Sequence, residues 1–542
     1  MPDFLVNIGL ILFVVFFFGF SVFIHEFGHL LAAIWRGLHI EKFSIGFGQR
    51  IWGFTKNKID FIVGWLPFGG YVQLPQLEPN DEPMTSDGKI LPAPKAIDRV
   101  IVAVAGPLFN ILFAFVLGTI LWKSGKPAAP PLEKLEIRDI PQRSIDYKEG
   151  LRNGDNLLTI NGKKIKNSDM LMKEYVLSGE VTLELERDGK QMTIGPFKPE
   201  KDPNFEDLSF PPFTYVGTRK STEAIVDFVA NGENEGEAYP AFEAGVQRGD
   251  KFVKVSGKSI STPKDVIKAI QVENGGPVDF TVMREGREVN LTITPKKIIS
   301  EILGLRIIKY PEVFSADTEF PAYLAGVRKW DKIVGVNGKK YDDLEAFQKV
   351  LKENGGKDIT LEINREGELL SMPVKVEHST YKIGVGFQRY YVFEDPLTQV
   401  GNVLGETVKT IGAIANRSVN LSGLSGPVGI GQGIYNQVKF GGWRAGLAFI
   451  FMINISLAIF NLLPLPVLDG GHIFIAVLEM VSRRKVPAKI LQPVTMVFVL
   501  FFLSLMAYVT MHDVKRTGFE IIVVETQCDQ GLTEKYVETQ QS

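Results

Sequence analysis

The chain has 542 residues, with 60 Lys and Arg against 62 Asp and Glu, and one Cys. The balanced charge does not indicate a basic surface that binds a polyanion, so nucleic acid is not an expected partner. One cysteine excludes internal disulfides, all-cysteine zinc sites and iron-sulfur clusters. Mean hydropathy is +0.07 although 23% of the residues are charged, so the apolar residues must be concentrated in part of the chain.

Four apolar stretches are each long enough to cross about 30 Å of hydrocarbon as a helix. They predict an α-helical polytopic membrane protein with four transmembrane helices and a large domain between the second and the third. The predicted segments are a first helix in 1–36, a connection in 37–96, a second helix in 97–123, three modules in 124–200, 201–299 and 300–390, a linker in 391–445, a third helix in 446–475, a connection in 476–490, a fourth helix in 491–512 and a tail in 513–542.

Charge in the connections predicts the orientation. Lys and Arg cluster in the first and third connections, for example at Arg50, Lys56, Arg483 and Arg484. The positive-inside bias puts these connections in the cytoplasm and the long module segment outside, with the lipid bilayer as a partner. The first stretch lacks a basic start and a cleavage site, so we interpret it as a retained helix rather than a signal peptide.

His25-Glu26-Phe27-Gly28-His29 lies inside the first apolar stretch. Residues four apart share a helix face, so His25 and His29 can present their imidazoles to one zinc ion with Glu26 beside it as a general base. The alternative is an accidental match. Ionisable side chains within a membrane span are costly unless they form a site, which favours the functional interpretation.

A third ligand is expected from the segment that runs from Asn461 to His472. Its two prolines predict a break in the third span near 461–467, so that Asp469 is presented from a bend at membrane depth. We favour Asp469 as the ligand because a buried carboxylate requires a cation, with His472 as the competing candidate. Asn461 has two interpretations of equal weight: a contact between helices, or a group that orients the substrate.

Two other segments have distinctive patterns. The connection after the first helix holds Phe43-Ser-Ile-Gly-Phe-Gly48 and an apolar run over 59–72, which predict β-strands that pack on the helices or lie in a protein-lined cavity. The linker has an apolar stripe from Leu397 to Ala415. It predicts a helix that lies on the outer membrane surface or packs against the modules.

The module segment contains three similar passages. They begin Gly150-Leu-Arg-Asn-Gly-Asp155, Gly245-Val-Gln-Arg-Gly-Asp250 and Gly326-Val-Arg-Lys-Trp-Asp331, and each is followed by a helix-like stretch and a tight hairpin. The passages resemble bacterial PDZ domains, which bind peptides by adding them to a sheet edge. Three folded spacers without a ligand are the alternative.

Together these residues resemble the site-2 protease family of intramembrane zinc metalloproteases, in particular its regulator of sigma-E type. The resemblance covers almost the whole chain. It rests on the His-Glu-x-x-His motif, the 43–48 and 66–71 loop, Ala105-Gly106-Pro107-Leu-Phe-Asn110, the modules, Ser425-Gly426-Pro427-Val-Gly-Ile430, and Asn461-x-x-Pro464-x-Pro466-x-x-Asp469-Gly470.

The resemblance implies a zinc-dependent endopeptidase of the bacterial inner membrane, with its PDZ modules in the periplasm. It implies cleavage of transmembrane segments of single-pass proteins, such as anti-sigma factors, and of remnant signal peptides. The implied zinc ligands are His25, His29 and Asp469, and the implied base is Glu26. The implied substrate-binding residues lie in two places: Asn461, Pro464 and Pro466 in the break of the third span, and Gly46, Phe47, Gly48, Gly69 and Gly70 in a membrane-associated β-hairpin loop. The chain has three modules, whereas the family members that it resembles carry two tandem PDZ domains. An inactive scaffold that binds peptides is the alternative function, and a zinc transporter is a third.

Overall fold

The computed structural model describes residues 3–78, 82–128, 131–201, 211–219, 223–230, 239–300, 303–309, 311–316, 320–341, 343–383, 385–387, 390–416 and 425–518. The predicted tail beyond residue 518, with Cys528, lies outside these residues. The chain divides into two compact units. The membrane unit consists of 1–127, 391–415 and 421–517, and the β-rich unit consists mainly of 128–390.

The elements follow one another in three groups. The first group is α1 (Asp3–Arg36), β1 (Lys42–Lys56), β2 (Ile59–Gln73), α2 (Ala96–Ser124) and β3 (Lys126–Pro127). The second is β4 (Leu132–Arg138), α3 (Ile145–Lys148), β5 (Asn156–Ile160), β6 (Lys163–Lys164), α4 (Ser168–Leu177), β7 (Val181–Arg187), β8 (Lys190–Phe197), β9 (Thr214–Arg219), β10 (Val226–Val229), α5 (Pro240–Glu243), β11 (Lys251–Val255), β12 (Lys258–Ser259), α6 (Pro263–Val272), β13 (Val278–Arg284), β14 (Arg287–Ile293), β15 (Lys296–Ser300), β16 (Leu305–Lys309), β17 (Glu312–Ala316), α7 (Pro321–Leu324), β18 (Lys332–Val336), α8 (Leu344–Glu353), β19 (Asp358–Arg365), β20 (Glu368–Lys375), β21 (His378–Lys382) and β22 (Val385–Phe387). The third is β23 (Tyr391–Val392), α9 (Pro396–Ala415), α10 (Pro427–Asn461), α11 (Asp469–Ser482) and α12 (Ala488–Gly518).

Four helices among the described residues are long and apolar enough to span a membrane. They cover Gly9–Arg36, Ala96–Ser124, Gly441–Asn461 and Ala488–Val514. The third differs from the predicted 446–475, because α10 begins at Pro427, bends at Gly442 with a φ of 75°, and ends at Asn461. Residues 462–468 are not helical, as the two prolines predict, and α11 begins at Asp469. The predicted tail from 513 is also shorter, since α12 continues to Gly518.

The strands β1 and β2 form one curled sheet. Residues 42–45 of β1 pair on one side with 60–63 and on the other with 70–73, while the second half of β1 pairs with the start of β2. The hairpin turns at Asn57 and Lys58, with φ angles of 52° and 66°, which match a tight β-turn of the primed kind. Segment 70–73 therefore lies at one edge of the sheet.

Helix α9 has the amphipathic pattern that the sequence predicts, and it packs on membrane helices. Val400 and Leu404 join the apolar cluster between α2 and α10, and Gln399 donates a hydrogen bond to Gly118 O at 3.1 Å. Leu397 and Val408 point outward, with 74% and 61% of their surface exposed. Both exposed residues are suited to contact with lipid.

Asp513 of α12 binds the first turn of α10. Its Oδ2 accepts hydrogen bonds from the backbone N–H groups of Gly426 at 2.9 Å and Gly429 at 2.8 Å. A Cβ on Gly429 would lie 2.6 Å from Asp513 Oδ1, so a larger residue would displace the carboxylate. A buried acid at a helix amino terminus satisfies N–H groups that lack partners within the helix.

The β-rich unit contains three separate apolar cores. Module 1 covers 132–219, and its core includes Phe213 just before β9. Module 3 covers 303–376. The core of module 2 combines residues of 224–293 with Ile383, and β10 pairs with β22.

Module 3 is therefore inserted into module 2, which corrects the predicted boundaries at 200, 299 and 390. The strands β15 and β21 pair antiparallel from Lys296 with Lys382 to Ser300 with His378, and this ladder joins the two modules. Module 3 also contacts module 1: Arg328 Nε lies 3.1 Å from Asp139 Oδ1, and Trp330 Nε1 donates to Pro212 O at 3.1 Å. The unit is not a chain of three independent domains.

Each repeated passage encodes one ion pair between a buried carboxylate and a partly exposed guanidinium. In module 1, Arg187 of the hairpin donates to both oxygens of Asp155 at 2.6 and 2.7 Å and to Gly150 O at 2.7 Å. The same three contacts recur in the other modules, formed by Arg284 with Asp250 and Gly245, and by Arg365 with Asp331 and Gly326. The Gly and Asp of each repeat thus fix the hairpin onto the preceding loop.

Candidate metal centre

Helix α1 places His25 and His29 on one face, one turn apart. Both are buried, and their Nε2 atoms lie 3.2 Å from each other. His29 Nδ1 lies 2.8 Å from Val102 O, and a carbonyl only accepts hydrogen bonds. The proton of neutral His29 is therefore on Nδ1, and its Nε2 presents a lone pair.

The first residue of α11 completes the cluster. Asp469 Oδ2 lies 3.3 Å from His25 Nε2, and Asp469 Oδ1 lies 3.3 Å from His29 Nε2. The ligand atoms of the three residues all lie within 4.8 Å of one another. Among the residues that the structure describes, they form the one group of three or more His, Cys, Asp or Glu side chains close enough for a metal ion. His472, the competing candidate, is not part of it.

The donor set fits zinc. Asp469 Oδ2 is shielded from solvent and accepts no hydrogen bond. Two imidazoles and a carboxylate that converge on one point, with a lone pair and a buried negative charge uncompensated, require a cation. Two nitrogen ligands and one oxygen ligand match the three-residue sets that hold catalytic zinc and leave one position open.

Three glycines give the cluster its room. A Cβ on Gly106 of α2 would lie 2.3 Å from His29 Nε2, so only glycine fits beside the imidazoles. A Cβ on Gly28 would lie 2.5 Å from Ala105 O, which explains how closely α1 and α2 approach. A Cβ on Gly470 would lie 2.3 Å from Leu462 O, so the turn of 462–468 folds tightly onto the start of α11.

Glu26 lies between the cluster and the sheet edge. Its carboxylate accepts a hydrogen bond from the backbone N–H of Val72. Gly70 packs directly against Glu26, because a Cβ there would lie 2.9 Å from Glu26 Cγ. Asn461, the last residue of α10, places Nδ2 3.4 Å from His25 Nε2. The structure thus brings Glu26, Gly70 and Asn461 to the cluster.

The other predicted substrate residues lie further out or shape the sheet. Gly46, Gly48 and Gly69 adopt φ angles of 81°, 86° and 90°, where glycine is favoured. The Phe47 ring stacks on Tyr71 at 6.1 Å and is 46% exposed. Pro464 and Pro466 lie in the non-helical turn, Pro464 exposed and Pro466 partly buried.

Comparison with known proteins decides the family. The model of "Peptidase family M50" matches residues 13–505. The chain belongs to peptidase family M50. M50 membership, the zinc-type donor set and the four apolar helices make it an intramembrane zinc metalloprotease, a multi-pass protein of the inner membrane.

Relatives of this M50 protein match along most of their length. A "Putative zinc metalloprotease" of Vibrio cholerae serotype O1 is 26% identical, over 92% of this chain and 96% of the relative. The "Regulator of sigma E protease" of Haemophilus influenzae is 25% identical over 91% and 96%. The "Regulator of sigma-E protease RseP" of Salmonella typhimurium is 25% identical over 87% and 91%. A solved PDZ domain protein from Parabacteroides distasonis aligns with 10% identity and a TM-score of 0.15, too low to assign a fold.

In the sequence, Asn110 and Gly106 stand out only as part of the motif from Ala105 to Asn110. A buried amide within an apolar span was the available signal, since polar groups at membrane depth usually serve a site. The role of Gly106 has no signal in a single sequence, because its importance comes from the position of His29 on another helix.

Proposed function

We propose that this protease cleaves transmembrane segments of single-pass membrane proteins, with His25, His29 and Asp469 as zinc ligands and Glu26 as general base. Anti-sigma factors and remnant signal peptides are the expected substrate classes. The observation that supports this proposal is the convergence of two imidazoles of a candidate membrane span and one carboxylate, beside a glutamate and a sheet edge.

The edge of the β1–β2 sheet supports a substrate in extended conformation. A transmembrane helix must unwind before a peptide bond can be hydrolysed, and its freed backbone groups then need partners within the membrane. Segment 70–73 is an edge strand, and Gly70 lies against Glu26. A substrate strand added along this edge runs past Glu26.

Each group of the site then has a separate role in the hydrolysis. His25, His29 and Asp469 would hold zinc, which would supply polarisation of the scissile carbonyl and a lower pKa for a water molecule. Glu26 removes a proton from the attacking water and delivers one to the leaving amine nitrogen. The Asn461 amide, at the end of α10, donates a hydrogen bond to the substrate backbone, and the 462–468 turn around Pro464 and Pro466 holds the unwound segment.

The three modules are proposed as PDZ-type peptide binders on the periplasmic side. β9 and β16 each lie at the end of their sheet, where an extended peptide can add. In module 3, Gly304 precedes β16 with a φ of 72°, as expected where a loop presents backbone N–H groups to a peptide terminus. The Lys and Arg residues of the first and third connections support cytoplasmic placement of those connections.

The test uses the full chain in detergent with a single-pass substrate. Glu26→Gln is expected to keep bound zinc and lose cleavage, because the amide cannot accept the proton. Glu406→Gln, on the exposed face of α9, is the matched control and should cleave normally. Cleavage by Glu26→Gln at the rate of the unmodified protein would overturn the mechanism, and absence of cleavage by the unmodified protein would favour the scaffold function.

A further inference from the structure

Asn110 of α2 has an unusual environment behind the metal centre. It is fully buried, at 0% exposure, and its Nδ2 lies 3.2 Å from His25 Nδ1. Its Oδ1 is buried and has no hydrogen-bond partner. The amide therefore faces His25 with one of its two polar atoms, and which atom that is decides whether Asn110 donates or accepts.

The position of the proton on His25 decides which amide atom of Asn110 faces the imidazole. His25 Nε2 faces Asp469 and the other imidazole, so a neutral His25 that offers this lone pair to a metal carries its proton on Nδ1. Nδ1 is then a donor, and an amide NH2 cannot accept from it. Amide oxygen and nitrogen are exchanged by a 180° turn about the terminal bond, which places Oδ1 at the position facing Nδ1.

We infer that Asn110 is a positioning residue that accepts a hydrogen bond from His25 Nδ1–H through Oδ1. This bond fixes the tautomer and the ring orientation of His25, so that Nε2 points at the zinc position. The inference deepens the proposed zinc site and rests on it.

The spacing of three residues on α2 places the contacts to both imidazoles on one face of that helix. Val102, Gly106 and Asn110 are successive residues four apart, so they lie along one face of the helix. Val102 O pairs with His29 Nδ1, Gly106 leaves space for the rings, and Asn110 contacts His25 Nδ1. One face of α2 thus contacts the Nδ1 atoms of both His25 and His29, as hydrogen-bond acceptors behind the ligands do in other zinc sites.

The test compares zinc affinity with the stability of the zinc-free protein, both on the full chain in detergent. Asn110→Leu keeps the shape of the side chain but removes the acceptor, and is expected to weaken zinc binding by about 10- to 100-fold in chelator competition. Its zinc-free form should melt no lower than the unmodified protein. Asn110→Asp restores an acceptor and should bind within about threefold of the unmodified protein.

The matched control is Asn454→Leu, which removes an equally buried amide that donates to Ser21 Oγ and Ile450 O. Its zinc affinity should be unchanged. Unaltered affinity in Asn110→Leu, or an equal loss in Asn110→Asp, would overturn the role of Asn110. Failure of the unmodified chain to bind zinc would overturn the zinc site itself, a result distinct from either.

Discussion

Asp469 Oδ1 lies 3.3 Å from His29 Nε2, although one residue begins α11 and the other lies near the end of α1. The contact depends on the break at 462–468, which turns the chain so that Asp469 opens a new helix. A straight third helix would carry this carboxylate away from the imidazoles. The prolines of the break therefore contribute to the geometry of the site, because they prevent a continuous helix before Asp469.

Gly106→Ala is expected to reduce zinc occupancy strongly, because the added Cβ would meet His29 Nε2 at 2.3 Å. The imidazole must move, and small displacements of a ligand weaken metal binding by about 10-fold or more. Zinc content per purified chain measures the effect. Gly19→Ala on α1, where a Cβ meets nothing within 4 Å, is the control and should keep its zinc.

Asp513→Leu should lower the melting temperature of the full chain, since it leaves the N–H groups of Gly426 and Gly429 buried without partners. The expected cost is about 2 to 4 kcal/mol. Asp513→Asn, which retains one acceptor, should cost less. The partly buried neighbour His512, whose hydrogen bond to Tyr508 O lies within its own helix, provides a control, His512→Gln, with a smaller expected change. Equal melting of all three variants would contradict the proposed anchoring of α10.

The Asp–Arg pairs predict local stability in the modules. Asp331→Ala removes a buried carboxylate that accepts hydrogen bonds from Arg365 and from the backbone N–H of Arg328, and should destabilise module 3 by about 1 to 3 kcal/mol. Glu288→Ala breaks the exposed pair with Lys254, which lies at 2.9 Å, and should cost about 0.5 kcal/mol or less. Hydrogen exchange of β18 and β19 in the full chain measures the first change, and exchange of β11 and β13 measures the second.

Module 1 should lose stability as the pH rises. Burial raises the pKa of Asp146 from its usual value to about 6, although Tyr175 donates a hydrogen bond to the carboxylate. The folded state therefore holds a proton that the unfolded state has lost, and stability falls between about pH 4 and pH 6. The total is about 3 kcal/mol.

Asp146→Asn tests this effect, because an amide does not ionise and still accepts the Tyr175 hydrogen bond. Hydrogen exchange of β5 and β7, corrected for the intrinsic effect of pH, should depend on pH between 4 and 6 in the unmodified chain and not in the variant. The same pH dependence in both proteins would show that another group is responsible.

Much of the site follows from local patterns in the sequence. The spacing of His25 and His29 fixes a shared helix face, and the prolines after Asn461 forbid a continuous helix. The apolar lengths place the four spans, although the third covers Gly441–Asn461 rather than 446–475, because the chain kinks at Gly442 and the helix ends at Asn461. Asp469 was favoured because a carboxylate at membrane depth needs a cation, and the structure places it within the cluster.

Other features depend on contacts between distant segments. The insertion of module 3 into module 2 rests on the pairing of β10 with β22 and of β15 with β21, and the repeats give no sign of it because they simply follow one another along the chain. Asp513 and Asn110 gain their roles from partners on other helices. Such tertiary pairings leave no periodicity for a single sequence to show.

The most direct test of the zinc site is the metal content of the purified chain after dialysis. The unmodified protein and His472→Asn should each hold about one zinc ion per chain, whereas Asp469→Asn should hold less than about a tenth of that. Full zinc content in Asp469→Asn together with loss in His472→Asn would contradict the ligand set of His25, His29 and Asp469.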